Sequence, residues 1–543
     1  MKKTKLFLTA LISMFAFTCG VKAVEVKTAE ELKTCLAKDG SVCTLSKSLE
    51  NISTIDLAEV NATLDLNGNS ITFAENKRLN IKKGNFIIKG KGKISESKPS
   101  TAPVVIYGSI NKTDTNYTTV TIEKDVILEG KYGSFISLNK DSNNVSHAYG
   151  TTVNINGTLK GIKEGDSGAG FYINGLLQDV ENAPVININS SANLNGNGGA
   201  IYAAGYAVWN IKDANLNGKE YGVALKAGKF NFNNTKIENN GEKKEGTYNG
   251  NGVNPAGATF QIESNNSYIG KIEINIDGGT YKSVNGDVIY HYMAQKEGTT
   301  QKVNNSLTSL SIKNGTFNGE INLLGEDTKN VTITGGTFNT DVTKFVGNKY
   351  VVNKNGKTYA VVENKVLETT DEKVIFESAE AIRNDLVLNV TEKSEDEVKK
   401  GTEKVTEVYK DNKKVKEVKL INLYEINVLN GDGRVEKLED GKFTIAIAIP
   451  ESEQKYDAYK VVYFDEDGKL VETLDAKLEN GKVVFTTTHL STYGIVGYNN
   501  TVTQGEKNPE TSDMNLALIL TTLGLASVGA VLVSRKKLAK ANR

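Results

Sequence analysis

Short alternations of apolar and polar residues recur along most of the chain. Residues 331–338 read Val-Thr-Ile-Thr-Gly-Gly-Thr-Phe, residues 310–317 read Leu-Ser-Ile-Lys-Asn-Gly-Thr-Phe, and residues 274–281 read Ile-Asn-Ile-Asp-Gly-Gly-Thr-Tyr. A shorter form occupies residues 153–159. Each phrase places apolar residues at alternate positions, turns at Gly or Asn, and ends on one more apolar residue. Alternation is the period of a half-buried strand. A unit this small cannot bury its own apolar face, so the copies must stack on one another. Further copies lie at residues 62–73, 85–94, 119–128, 185–194, 208–216 and 230–237. Several spacings are roughly 21 to 23 residues, and others about 33, which reads as one rung plus a surface loop. In the copy at 62–73, Leu64, Leu66, Ile71 and Phe73 are expected to point inward.

A second phrase alternates with the first, at residues 133–138, 170–173, 199–203, 222–225 and 287–291. Two strand phrases per period, in constant order, predict a coil with at least two parallel sheets. Tyr172, Tyr202 and Tyr290 share one position of this phrase, while Phe171, Ile201 and Ile289 alternate with them and should face the core. The Tyr rings would then form an outward column suited to stacking on sugar rings. The plainer reading is a ring ladder that stabilises the sheet through neighbour contacts. Trp209 fits either core or surface.

Residues 28–37 read as a short amphipathic helix, with Thr28 as N-cap and Glu31 three residues on. A strand at 41–45 follows. A helix over the open end of a strand stack keeps that end from pairing with other chains. After Phe345 the phrases stop. Residues 366–418 are charge-rich and read as a β segment or linker. Residues 419–498 look antiparallel, because Asp467-Gly468 and Asn480-Gly481 separate alternating strands and mark hairpins. An Ig-like β-sandwich is expected there.

Composition narrows the picture. The 543 residues carry 65 basic and 65 acidic side chains, so charge gives no case for a nucleic-acid partner. Asn is frequent at strand corners, where it tolerates left-handed backbone angles. Of three Cys, Cys19 falls in the leader described next, which leaves Cys35 and Cys43. Their spacing is not a zinc pattern. An extracellular chain permits a disulfide between them; the alternative is two separate buried thiols.

The two ends supply an address. Residues 1–23 have the form of a secretory signal peptide: Lys2, Lys3 and Lys5, an apolar run at 6–17, and Val21-Lys22-Ala23 at the cleavage position. Cys19 would serve a lipoprotein reading, but bulky Phe17 spoils the motif. Near the other end, a linker and motif at 499–513 precede a largely apolar stretch at 514–533, long enough to cross a membrane, and a basic cytoplasmic tail at 534–543. This order resembles the cell-wall sorting signal of Gram-positive surface proteins, with Asn508, Pro509, Glu510, Thr511 and Ser512 at the motif. The resemblance implies cleavage by a sortase after Thr511 and attachment to peptidoglycan. Asn508 stands where Leu is usual and Ser512 where Gly is usual. The simpler alternative is a plain membrane anchor.

The repeat region, residues 24–365, resembles the pectin-lyase-like right-handed parallel β-helix family, and its Thr-Leu-Asp-Leu-Asn-Gly and Gly-Gly-Thr-Phe phrases look like those of bacterial surface β-helices. A series of β-sandwiches is the alternative, since Asn-Gly pairs also make hairpin turns. The terminal phrase at 485–496 resembles the last strands of membrane-proximal domains in Gram-positive surface proteins, and His489 belongs to it.

The β-helix resemblance brings a question of catalysis. Lyases of that family use an Arg or Lys base beside Asp-bound calcium; Arg78, the one Arg of the repeat region, lies near the capped end. Its hydrolases use an Asn-Thr-Asp phrase, a paired-Asp phrase, a Gly-His-Gly phrase and an Arg-x-Lys phrase, of which only the first is matched in the repeat region, by Asn339-Thr340-Asp341. Glycoside hydrolysis needs two carboxyl groups at a defined separation, and one tripeptide does not supply them. His147 and His291 read as structural or solvent-facing. The expectation is therefore an all-β, exported, wall-anchored surface protein, non-catalytic, with no cofactor and no metal. Its expected partners are sortase, peptidoglycan, the membrane through its C-terminal helix, and a glycan or host-surface ligand. The alternatives are a polysaccharide lyase or glycoside hydrolase on the β-helix, and a passive surface stalk.

Overall fold

The computed structural model describes residues 23–500, except 164–167, 179, 250–251, 253, 265–267, 269, 295–306, 348–349, 365, 379–381, 383–385, 437 and 439–441. The signal peptide expected at 1–23, save its last residue, and the sorting motif, apolar span and tail expected from 508 onward lie outside the described residues. Among the described residues no helix is long and apolar enough to cross a membrane. The chain is mostly β and divides into two compact units, residues 1–332 with 336–340, and residues 333–335 with 341–543.

In the first unit the strands pair in parallel along three columns. The first starts at Val24–Val26, Ser41–Leu45, Ala62–Asp65 and Gly84–Lys89, and continues through Thr118–Ile122, Thr151–Ile155, Val185–Ile188 and Val208–Lys212. It ends in the leading parts of three long strands, Gly228–Glu242, Ile272–Met293 and Leu307–Asn322. The second column runs from Leu49–Ile52 and Ser70–Phe73 to Asn215–Gly218, then through the middles of the long strands to Gly336–Phe338. The third runs from Ile55–Leu57 and Leu79–Ile81 through Phe171–Asn174, Gly199–Ala204 and Tyr221–Leu225 to Phe260–Ser264 and the end of Ile272–Met293. The chain visits the columns in turn and returns one rung further on. This connectivity is compatible with a parallel coil, with three columns per circuit.

The register explains the alternation. Val120, Val153, Ile186, Trp209, Phe230, Ile274 and Leu310 align across the first column, and all are buried. Leu64, Leu66, Ile71 and Phe73 are each no more than 1% exposed. Trp209 is a core residue, stacked on Phe230 and edge-on to Phe171. Near the end of the stack, Tyr281, Phe317 and Phe338 form a ring ladder with centroids 4.9 and 4.8 Å apart. Corners need left-handed backbone: Asn67 has φ 46° and Gly68 has φ 82°, angles that Asn and Gly adopt at least cost.

The helix Ala29–Leu36 covers the first rung. Thr28 Oγ1 accepts the Glu31 amide at 3.2 Å, and Glu31 Oε2 accepts the Thr28 amide, so two orphan donors are satisfied together. Leu32, Cys35 and Leu36 are buried, and Cys35 is disulfide-bonded to Cys43 on the strand Ser41–Leu45.

In the second unit, strands from Val366–Glu368 to Thr492–Asn500 form one nine-stranded antiparallel sheet. This differs from the expected sandwich confined to 419–498. Residues 366–418 supply Val366–Glu368, Val374–Ser378, Val387–Glu392 and the helix Glu395–Tyr409 to the same unit. The reason is packing. Phe376 and Leu388 share one apolar core with Ile426, Ile445, Val461 and Phe485, so the early strands cannot be a separate linker. The helix is capped by Ser394 and Glu397 and packs Val405 against Leu420 and Leu423. His489 contacts Tyr493 through Nδ1 at 3.0 Å within this unit.

Candidate functional site

Tyr172 and Tyr202 are register partners, and the same column continues through Ala224 and Gln261 to Tyr290. They do not form the exposed row the alternation predicts. Tyr202 is wholly buried. Its hydroxyl donates to the carbonyl of Gly252 at 2.9 Å, and its ring packs at a tilt against Tyr172, which stacks in turn on Tyr132. Above it sits a buried ion pair, Lys226 Nζ to Glu263 Oε1 at 2.9 Å, with Lys226 also over the Tyr202 and Tyr268 rings and bonded to Gly252 O. Chain returning between the columns thus covers this face. Burial pushes the Tyr172 and Tyr202 phenols well above their ordinary range. Tyr290 is half-buried, stacked on Tyr292, and its hydroxyl accepts the Gly246 amide.

The first column presents a different outer face. Asn187 Nδ2 donates to Asn154 Oδ1 at 2.9 Å, Asn210 to Asn187 at 3.0 Å, Asn231 to Asn210 at 3.0 Å, and Asn275 to Asn231 at 3.0 Å. Asn154 closes the row on Thr121 Oγ1 at 3.3 Å. An amide has two donor hydrogens and two acceptor lone pairs. The ladder uses one of each at its interior positions and leaves the others outside it. These side chains are partly or fully exposed. The sequence does contain this signal, as an Asn at one fixed place in successive first phrases, but the pattern alone does not reveal that the amides bond to one another.

The charged cluster nearest to a polysaccharide-cleaving arrangement is Lys243 with Asp287 at 2.8 Å and Glu320 at 2.5 Å. Hydrogen bonds to these two carboxylates, Asp287 first, hold Lys243 up at about 12. The bond from Lys243 keeps Glu320 below its ordinary value. A lyase base must be deprotonated near neutrality and a glycosidase acid protonated. Both shifts favour the charged forms of Lys243 and Glu320, and the contacts join three rungs. Asp341 of the Asn339-Thr340-Asp341 phrase binds the Thr343 hydroxyl at 2.6 Å and the Thr343 amide at 2.9 Å, which starts a 3-10 turn. His147 pairs with Asp141 at 2.9 Å and stacks on Tyr149. Among the described residues no group of three His, Cys, Asp or Glu could hold a metal ion.

One polar chain was not visible as a unit in the sequence. Ser264, His291 and Asp327 come from three successive rungs. Ser264 Oγ lies 2.7 Å from His291 Nε2, and His291 Nδ1 lies 2.6 Å from Asp327 Oδ2. All three are nearly fully buried. The same Asp327 oxygen accepts the Leu324 amide at 2.8 Å, which fixes the carboxylate on its turn. Their separations are 27 and 36 residues, and the register sets His291 beside Ile262 rather than Ser264, so aligning rungs by sequence does not bring the three together. In the second unit, a cavity of about 500 Å³ lies between the helix and the sheet, lined by Lys393, Lys400, Lys404, Glu397, Glu425 and Asp467 among others. Its charges are of mixed sign. No protein-family model, curated protein or solved structure matches the chain.

Proposed function

We propose that the chain is an exported surface-display protein, an adhesin whose first unit is a right-handed parallel β-helix that meets glycans or host surfaces with its asparagine face. The asparagine ladder is the observation that carries this reading. It offers amide donors and acceptors in a straight row at the strand spacing of about 4.8 Å, and sugar hydroxyls are suited to such groups. Right-handedness follows from the general bias of strand–crossover–parallel-strand connections, which are right-handed in about 98% of cases. The covered Tyr172 and Tyr202 are poor candidates for stacking on sugars, so the ligand face moves from the third column to the first.

Export by residues 1–23 and sortase attachment at Thr511 to peptidoglycan complete the proposal, with the apolar stretch at 514–533 holding the chain in the membrane until transfer. The motivating features are the basic–apolar–small order at one end and the Asn-Pro-Glu-Thr-Ser motif, apolar run and basic tail at the other. Fractionating producing cells with and without muramidase tests attachment: release by wall digestion but not by detergent is expected. A glycan and matrix-protein array on the purified chain tests adhesion. Binding that is lost in an Asn187, Asn210 and Asn231 triple Ala variant is expected, and no binding at all would favour a passive stalk.

A further inference from the structure

We infer that Ser264, His291 and Asp327 form a nucleophilic site that hydrolyses small-acyl esters. The geometry has two of the relationships such a site uses. A nucleophile lies within hydrogen-bond reach of a base, and the base is oriented by a third group. A carboxylate only accepts, so the Asp327 contact places the imidazole proton on Nδ1 and leaves Nε2 to accept from the Ser264 hydroxyl. Asp327 touches no substrate; it is a positioning residue.

Packing alone would not select these residues. The register sets His291 beside Ile262, and Ile262 beside Leu225. Two rungs therefore solve this position with apolar side chains, and the next places an imidazole there, buried to 3% exposure. Polar groups in such surroundings lose hydration that only a complete hydrogen-bond set restores.

The three side chains border a cavity. A cavity of about 200 Å³ is lined by Ser264, His291 and Asp327 together with Met293, Leu307 and Lys329. Met293 is 49% exposed and Lys329 is exposed, whereas the three polar residues are deep. Sites for drug-sized ligands occupy roughly 300–1,000 Å³, so this recess limits the acyl group to a short one. Its mixed lining suits an acyl methyl against Met293 and Leu307.

In the reaction, Ser264 Oγ attacks the ester carbonyl carbon while its proton passes to His291 Nε2. The alcohol departs with that proton, leaving an acyl-serine. Water then adds to the acyl carbon, giving its proton to Nε2, and the carboxylic acid leaves as Ser264 regains a proton. The balance is ester plus water to acid plus alcohol, with no oxidant or reductant.

The test uses the purified full chain with a fluorophosphonate probe and with p-nitrophenyl acetate. Expected are a mass adduct mapped to Ser264 and ester turnover, both abolished in Ser264→Ala and His291→Ala. Asp327→Asn should lower turnover by about 100-fold or more and alter its pH profile, with partial rescue by Asp327→Glu; a merely structural aspartate would alter melting without moving the pH profile. If a variant fails to fold, the adduct site on the wild-type chain decides. Wild-type chain with an intact melting transition that neither takes the label nor turns over the ester overturns the proposal. So does an adduct on another residue, or Ser264→Ala protein, verified folded, that labels as the wild type does.

Discussion

Asn187 donates to Asn154 across one rung and accepts from Asn210 on the next. It therefore couples three rungs through side chains, in addition to the backbone ladder. Asn187→Ala removes both bonds. A net hydrogen bond contributes about 0.5–1.5 kcal/mol, so a loss of about 1–3 kcal/mol is expected from the urea midpoint. Asn187→Asp should cost at least as much, because the carboxylate cannot donate to Asn154 Oδ1.

The Cys35–Cys43 bond closes a loop with sequence separation 8 between the capping helix and the first column. Loop-closure entropy for so short a ring gives about 2–3 kcal/mol. Reduction, or Cys35→Ala, should speed amide exchange in the first rungs by about 30- to 150-fold if opening there is local. Exchange at the far end, around Phe317, should not change. Equal acceleration everywhere would mean that the stack opens only as a whole.

Glu96 gives a prediction about pH. Burial raises its carboxyl above 4.5, outweighing the amides of Thr101 and Ser100 that bond to Oε2. Its other oxygen, Oε1, is buried without a hydrogen-bond partner. An acid raised in the fold holds more protons folded than unfolded between the two values. Its contribution to stability is therefore greatest below 4.5 and declines as pH climbs to the raised value. Glu96→Gln carries no such slope. The wild-type minus variant difference in urea midpoint, followed from pH 4 to pH 7, should fall with pH across that window and then level off.

Phe317 sits between Tyr281 and Phe338 in the ring ladder and is 1% exposed. Phe317→Ala leaves a cavity that the rigid neighbouring rungs cannot collapse into. A loss of about 3–5 kcal/mol is expected, read from chemical denaturation. Phe317→Tyr has a precedent at the preceding rung, where Tyr281 occupies the register position, and should cost far less.

The strands, their inward residues and the capping helix were legible because each depends on near neighbours in sequence. Thr28 and Glu31 are three residues apart, and alternation directly reports which side of a strand is buried. The Tyr column shows where this stops. Alternation placed Tyr202 outward correctly, but it carries no information about chain that later folds over that side, and Gly252 arrives from 50 residues away. Ser264, His291 and Asp327 were unreadable as a set because loops of unequal length vary the rung period, so equal spacing could not align them. For residues 366–418 the sequence left a β segment and a linker both open, because interleaved Lys and Glu along the helix Glu395–Tyr409 hid the Val405 stripe that seats it.

The helix at residues 29–36 also bears on the order in which the molecule can assemble. Every later rung needs a finished one beneath it to receive its backbone bonds, while the lid and its sulfur bridge need only the first few dozen residues. A polypeptide delivered amino end first would have its template ready before the bulk of the chain arrived. Growth could then keep pace with delivery, each new turn hiding the sticky edge left by the last.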